Sequence, residues 1–224
     1  KKKIIILGAG GHAKVLADEL LSQKIPVLGI ISPNERKGSE WFGGLKVLGD
    51  DSCVSRFLPE DILLVNGVGS IGVSAKRRDI YLNFKRAGFQ FASVIHSSAV
   101  ASARAILGEG VQIMAGAVVL AGSRLGDNVI VNTKASIDHD CDIAAHVHLA
   151  PGVTLSGGVK VGENSVIGAQ SGVFTEVPPN SVLLGSPPRP VREHKEHLVY
   201  ISKLPELFKQ VRELKKKLEE KPPR

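Results

Sequence analysis

The chain has 224 residues, 43% of them hydrophobic, 23% charged and 4% aromatic, with a formal net charge of +7. That length holds one large domain or two small ones, and a core so poor in rings must be built from Val, Ile, Leu and Ala, which favours a regular, repetitive architecture. No stretch approaches the roughly 20 apolar residues of a membrane span. Cys53 and Cys141 have neither CxxC spacing nor a histidine partner at zinc-finger spacing, so neither a disulfide framework nor a structural metal is expected. The basic residues gather in runs, Lys1–Lys3, Lys76–Arg78 and Lys215–Lys217, with no nucleic-acid motif beside them. A cytoplasmic protein whose anionic partners are nucleotide-sugars or CoA rather than nucleic acid is the expectation. The apolar run Ile4 to Leu7 is too short for the core of a signal peptide.

Residues 3–7 predict a short apolar strand. It runs into Gly8-Ala9-Gly10-Gly11-His12-Ala13-Lys14 and then a helical pattern through Val15, Leu16, Leu20 and Leu21. Glycines between a strand and a helix N-terminus form a corner whose backbone N–H groups bind anions. A second strand is expected at Val27–Ile31. The acid that holds a ribose in dinucleotide-binding folds is absent after it, since Ser32-Pro33 stands there, which argues against NAD. A third strand, Ile62–Val65, leads into a second glycine corner, Asn66 to Ser70, and a helix around Lys76–Ala87. These elements predict a small Rossmann-like β-α-β-α-β unit over residues 1–92.

From Ile95 to Val173 every sixth residue is apolar, without exception: Ile95, Ala101, Leu107, Ile113, Val119, Leu125, Val131, Ile137, Ile143, Leu149, Leu155, Val161, Ile167 and Val173. A second track four residues later, from Ala99 to Val177, is small or β-branched throughout. At this composition such a run arises by chance on the order of once in 100,000 for a given register. A strict period of six predicts hexapeptides that each supply a short strand and a turn. Three of them close a triangular coil of about 18 residues, and the coils stack through backbone hydrogen bonds. A β-sandwich would not hold that period through its turns. The expected fold over residues 93–191 is a left-handed parallel β-helix, with turn glycines and asparagines taking φ > 0.

Histidines concentrate in this region. His139 lies among Asp138, Asp140 and Asp142. Transfer of an acyl group to an amine or hydroxyl needs a base for the proton released on attack. A neutral imidazole with a neighbouring carboxylate meets that need near pH 7. His139 with Asp140 is the candidate pair. His148 follows in His148-Leu149-Ala150-Pro151-Gly152, where it could stabilise a developing oxyanion. His146 and His96 read as structural. A metal site from His139, His146 and His148 is the alternative.

The opening Gly-x-Gly-Gly-His-Ala-Lys, a small α/β unit and an uninterrupted hexapeptide repeat together resemble one family of hexapeptide-repeat sugar acyltransferases. It includes the enzymes acetylating UDP-linked bacillosamine precursors, the perosamine acetyltransferases and the sialic-acid O-acetyltransferases. The resemblance runs from about residue 3 to residue 191. It implies a homotrimer that uses acetyl-CoA as co-substrate, needs no permanently bound cofactor or metal, and acts on a nucleotide-linked amino sugar. Position by position it implies sugar-nucleotide contacts at Gly10, Gly11, His12 and Gly67, a base at His139 supported by Asp140, and acetyl-CoA contacts at His148, Gly157 and Ala169. Gly185 to Pro190 resembles the family's terminal loop over the nucleotide end of CoA. The bacillosamine-type enzymes carry Asp-Asp after the second strand to read the base, where this chain has Ser32-Pro33.

Residues 192–224 continue beyond the repeat. Leu204, Leu207, Val211, Leu214 and Leu218 follow 3-4 spacing, the seam of a coiled coil. This tail, between His194 and Glu220, is similar to the C-terminal helix of the UDP-acylglucosamine N-acyltransferases. It is read first as a trimer-stabilising helix and second as a dock for acyl carrier protein. Two alternative functions accompany these readings: an acyl-ACP-dependent sugar N-acyltransferase, and a non-catalytic scaffold subunit of a sugar-biosynthetic complex.

Overall fold

The computed structural model describes residues 2–69 and 75–219. Lys1, Ser70 and Glu220 lie outside the described residues, as do the side chains of Lys217 and Leu218. The chain opens with a four-stranded parallel sheet of β1 (Lys3–Leu7), β2 (Val27–Ile31), β3 (Val47–Gly49) and β4 (Ile62–Asn66), in the order β3-β2-β1-β4. Both faces of this sheet are covered, which is why β1 reads as an unbroken apolar run. Ile4 and Ile6 pack on Ala13, Leu16 and Leu20 of α1 (Gly11–Ser22). Ile5 and Leu7 pack on Tyr81 of α2 (Ala75–Arg86) and on Phe89 and Phe91. The strand expected third is therefore fourth in the sheet. The edge strand β3 escaped the sequence reading because three residues ending in Gly49 carry no periodic signal.

The repeat folds into a parallel β-helix of two-residue strands arranged as three sheets. Strand partners lie 18 residues apart, as in Arg124↔Asp142 and Ile130↔His148. Every inward residue from Ile113 to Val173 is buried, whereas Ile95, at the open first coil, is 38% exposed. In the small track, hydroxyls replace apolar atoms where the backbone offers partners. Ser123 Oγ donates to Asp138 O at 2.7 Å and accepts from the Cys141 N–H at 3.2 Å, tying adjacent corners. The period breaks at Pro178-Pro179, after which Val166 pairs with Val182, and the strand at Arg189–Pro190 turns antiparallel to close the stack.

Two sets of glycines do different work. Gly110, Gly116, Gly122, Gly152 and Gly158 have positive φ, and Asn128, Lys134, Asp140, His146, Asn164 and Gln170 adopt the same conformation at other turns. Gly108, Gly126, Gly162 and Gly168 do not. A Cβ at Gly126 would lie 2.6 Å from the Ala145 nitrogen of the next coil. The glycine that follows the large apolar residue is thus required by stacking distance, not by turn conformation.

The front unit is clamped to the β-helix at two places. Buried Glu19 of α1 accepts from the Ser97 N–H at 2.7 Å and from His96 Nε2 at 3.1 Å. On α2, Tyr81 donates to Asp127 at 3.0 Å and Lys85 meets Glu109 at 2.6 Å. A final helix, α3 (Val191–Glu219), leaves the closed end with Leu204, Leu207, Val211 and Leu214 all exposed in the single chain. Among the described residues no helix is long and apolar enough to cross a membrane.

Overpacking a close-packed contact costs about 1–3 kcal/mol, against about 1 kcal/mol for an alanine at positive φ in open space. Gly126→Ala should therefore lower stability by about 2–3 kcal/mol. Gly116→Ala, where a Cβ meets only Lys134 at 3.5 Å, should cost about half as much. Urea unfolding of the two variants checks the order, and equal losses would contradict the stacking argument.

Candidate active site

The two glycine corners, after β1 and β4, frame the crevice where the strand order reverses, the usual ligand position in an open parallel sheet. The cleft there has a volume of about 690 Å³. Its floor is Gly8 to Gly11 at the start of α1, opposite Gly67 to Gly69. A Cβ at Gly67 would lie 2.7 Å from the Ala13 Cβ and 2.8 Å from Leu7 O, so the corner closes only without a side chain. One end of the cleft is lined by Ile31 to Glu35 and Asp51. The other end reaches the β-helix at Ile130, Asn132 and His148. Gly10, Gly11, His12, Gly67 and His148 thus share one cleft. The sequence reading gave no role to Asp51 or Glu35, which supply carboxylates at the end where Ser32-Pro33 replaces the Asp-Asp pair.

Beneath the cleft lies a buried polar network that sequence spacing did not reveal. Arg77 of α2 donates to Asn66 O and Val68 O, both at 2.7 Å, to Gln112 Oε1 at 3.1 Å and to Asn128 O at 3.4 Å. All are neutral oxygens, and burial pulls the guanidinium down to about 9. Gln112 in turn donates to Asn66 O at 2.8 Å and meets His12 Nε2 at 2.7 Å. This network joins the second glycine corner to two coils of the β-helix. In the same cleft Asn132 Oδ1 accepts from the Thr133 N–H at 2.8 Å, so its Nδ2 faces His148 Nε2 at 3.2 Å and leaves that nitrogen as the acceptor.

His139 and Asp140 stand elsewhere. They occupy the turn between the strands Ser136–Ile137 and Asp142–Ile143, the edge between the five-stranded and four-stranded sheets, whereas the cleft opens on the seven-stranded sheet. Neither lines the cleft. His139 Nδ1 lies 2.9 Å from Asp140 Oδ2, so the ring donates from Nδ1 and presents Nε2 as a lone pair. The hydrogen bond to Asp140, with Asp138 adding its charge, raises the His139 pKa above the ordinary value. Gly157 of the next coil lies under the ring, where a Cβ would come within 2.7 Å of Nε2. Asp140 itself takes positive φ and covers Gly122 of the coil before. Ala169 is exposed on the opposite edge of the five-stranded sheet. A groove of about 280 Å³ crosses the outer face of that sheet beside Asp138. His146 accepts from Asn128 Nδ2 at 3.1 Å and packs on Tyr81. It does not join His139 and His148, and no cluster suited to a metal ion occurs among the described residues.

A stacked hexapeptide β-helix that carries an oriented imidazole on one edge is the architecture of hexapeptide-repeat acyltransferases. Residues 3–84 match the family model of the PglD N-terminal domain. The structure is similar to the acetyltransferase domain of PglB from Neisseria gonorrhoeae FA1090, with 34% identity, a TM-score of 0.73 and coverage of 85% of this chain and 100% of that one. It is also similar to a histidine variant of perosamine N-acetyltransferase from Caulobacter crescentus in complex with CoA and GDP-perosamine, with 31% identity, a TM-score of 0.72 and coverage of 84% and 96%. Among curated proteins, the UDP-N-acetylbacillosamine N-acetyltransferase of Bacillus subtilis is 30% identical over 118 residues, which span 51% of this chain and 52% of that protein. The chain spans a quarter to about half of the length of the first curated relatives it matches. The chain belongs to this family of sugar acetyltransferases.

Losing a charged donor from buried acceptors costs about 1.5–3 kcal/mol per bond. Arg77→Met, which keeps the volume but leaves four oxygens without it, should destabilise by about 3 kcal/mol or more in chemical denaturation. A loss below about 1 kcal/mol would mean that the network contributes nothing to joining the two units.

Proposed function

We propose that the protein transfers an acetyl group from acetyl-CoA to the amino group of a nucleotide-linked amino sugar, with His139 as general base. The observation that carries this reading is the His139–Asp140 pair, whose Nε2 lone pair is exposed above a glycine. The neutral amine attacks the thioester carbonyl and a C–N bond forms. Its proton passes to His139 Nε2, the C–S bond breaks, and the proton leaves with the CoA thiolate. Asp140 holds the tautomer and stabilises the imidazolium. The nucleotide diphosphate would rest on the N–H groups at Gly10 and Gly11, with Gly67 opposite. The solved relative holding CoA together with GDP-perosamine supports this pairing of substrates.

The cleft and His139 lie on different sides of the same β-helix, so one chain does not complete the reaction centre. A second copy that brings its five-stranded sheet against the first copy's cleft would do so. Acetyl-CoA would then lie between copies, with His148 from one and Gly157 and Ala169 from the other. The triangular β-helix favours three such contacts in a closed homotrimer. Residues 1–92 would hold the sugar nucleotide, 93–191 the reaction centre and 192–224 a helix that joins the copies, in the cytoplasm where acetyl-CoA is available.

Release of CoA thiol from acetyl-CoA, followed across a panel of UDP-, GDP- and dTDP-linked amino sugars, tests the function, and no release with any of them would refute it. General-base catalysis is worth roughly 10²–10⁴-fold, so His139→Ala should lower kcat by about that factor. Mixed trimers of His139→Ala with a cleft variant such as Gly10→Asp should regain activity, since each supplies what the other lacks. Mixtures no more active than their parents would exclude a site shared between copies.

The base must be neutral, so kcat/KM should fall as pH drops through the His139 pKa, which the hydrogen bond to Asp140 raises above the ordinary histidine value. Asp140→Asn replaces the carboxylate acceptor whose hydrogen bond raises it with a weaker, neutral one. The acid limb of the pH profile should move to lower pH while kcat decreases. A limb that stays in place would assign the titration to another group.

A further inference from the structure

His12 is the second residue of α1 and lies between the glycine corner and the β-helix end of the cleft. A cation at this place would suit a diphosphate, but burial and the neighbouring Arg77 hold the ring neutral, and the hydrogen-bond network fixes its tautomer. Gln112 Nε2 donates to Asn66 O at 2.8 Å, and Gln112 Oε1 accepts from Arg77 at 3.1 Å, so the amide can be turned only one way. Its oxygen faces His12 Nε2 at 2.7 Å. An oxygen only accepts there, so Nε2 carries the proton and Nδ1 keeps its lone pair. Burial, then the Arg77 guanidinium, then His148 oppose a second proton, and the ring titrates only at about 4. Nδ1 has no hydrogen-bond partner among the described residues. A phosphate oxygen is itself an acceptor and would be repelled by that lone pair. What fits is a donor on the ligand. The reacting amine is committed to His139, so the donor shared by GDP-perosamine and a UDP-linked 4-amino sugar at this end of the cleft is a ring hydroxyl.

We propose that His12 reads the sugar rather than the diphosphate, with its Nδ1 accepting a hydrogen bond from a sugar hydroxyl. The anion is left to the backbone N–H groups of the glycine corner. This rests on the nucleotide-sugar reading of the cleft. It adds a specificity residue that depends on Gln112 and Arg77, two residues outside any recognisable motif.

The test compares binding of GDP-perosamine with GDP, and of a UDP-linked 4-amino sugar with UDP, by calorimetry on the full-length protein and its variants. A hydrogen bond lost to truncation is worth about tenfold in affinity. His12→Ala should weaken whichever nucleotide-sugar binds by about that factor and change the matching free nucleotide by less than about twofold. Equal weakening of both would place His12 on the phosphate and overturn the proposal, and so would no weakening of either. Should His12→Ala fail to fold, His12→Asn and His12→Gln decide. The asparagine oxygen falls near the Nδ1 position and the glutamine amide near Nε2, so the asparagine variant should bind the nucleotide-sugar several-fold tighter. Equal binding of these two variants would overturn the proposal as well. Wild-type protein that binds neither nucleotide-sugar would refute the function itself, a result distinct from all of these.

Discussion

The structure depends on one repeated constraint: the strand N–H groups of a coil must meet carbonyls of the next coil 17 residues later, so that paired residues lie 18 apart. The Ile106 N–H donates to Ser123 O, the Arg124 N–H to Cys141 O and the Asp142 N–H to Val159 O, all within 3.0 Å. A ladder with that fixed step leaves no room for an inserted residue inside a coil and little for a misplaced Cβ at a corner. The inward stack of Ile137, Ile143, Leu149 and Leu155 is therefore filled by aliphatic side chains of similar size. The same step explains the low aromatic content, because a prism this narrow has no space for a ring in its core.

Rigid stacking also places the chemistry. His139 is exposed, and its position comes from its turn rather than from surrounding side chains. Asp140 adopts the left-handed conformation of its turn and lies over Gly122, while Gly157 leaves the ring room below. The geometry of the His139–Asp140 pair is thus set by three consecutive coils. The carboxylate that orients the imidazole also raises its basicity, which would suit the general base proposed above.

The front unit is subject to a different constraint. Its phosphate corner would face the β-helix loosely if only apolar contact joined them. Instead Arg77 bridges Asn66 and Val68 to Gln112 and Asn128, so the crevice and the β-helix share one buried guanidinium. Burying a guanidinium without a carboxylate is costly. Four oxygens accept from it, two of which, Asn66 O and Gln112 Oε1, also accept from Gln112 and His12, and the Glu19–His96 clamp holds the far end of the same interface. The orientation of His12 follows from this network and is therefore tied to the joint between the two units.

Much of the molecule was legible in the sequence because its signals are periodic or local. The six-residue track from Ile95 to Val173 determined the β-helix, since a side chain every six residues can face inward only if the backbone turns a corner in between. The glycine corners after Leu7 and Asn66 marked the crevice between β1 and β4, and the adjacency of Asp140 to His139 gave the oriented imidazole that the proposed mechanism uses. The 18-residue ladder, once formed, decided that Gly126 is needed for stacking rather than for a turn. Tertiary structure alone decided that His148 belongs to the front cleft while His139 and Gly157 stand on another edge, because residues nine apart in a three-sided coil point to different sides of it. It alone brought Arg77, Gln112 and Asn128 together, since hydrogen-bond partners separated by 35 and 51 residues in the chain leave no local pattern to read.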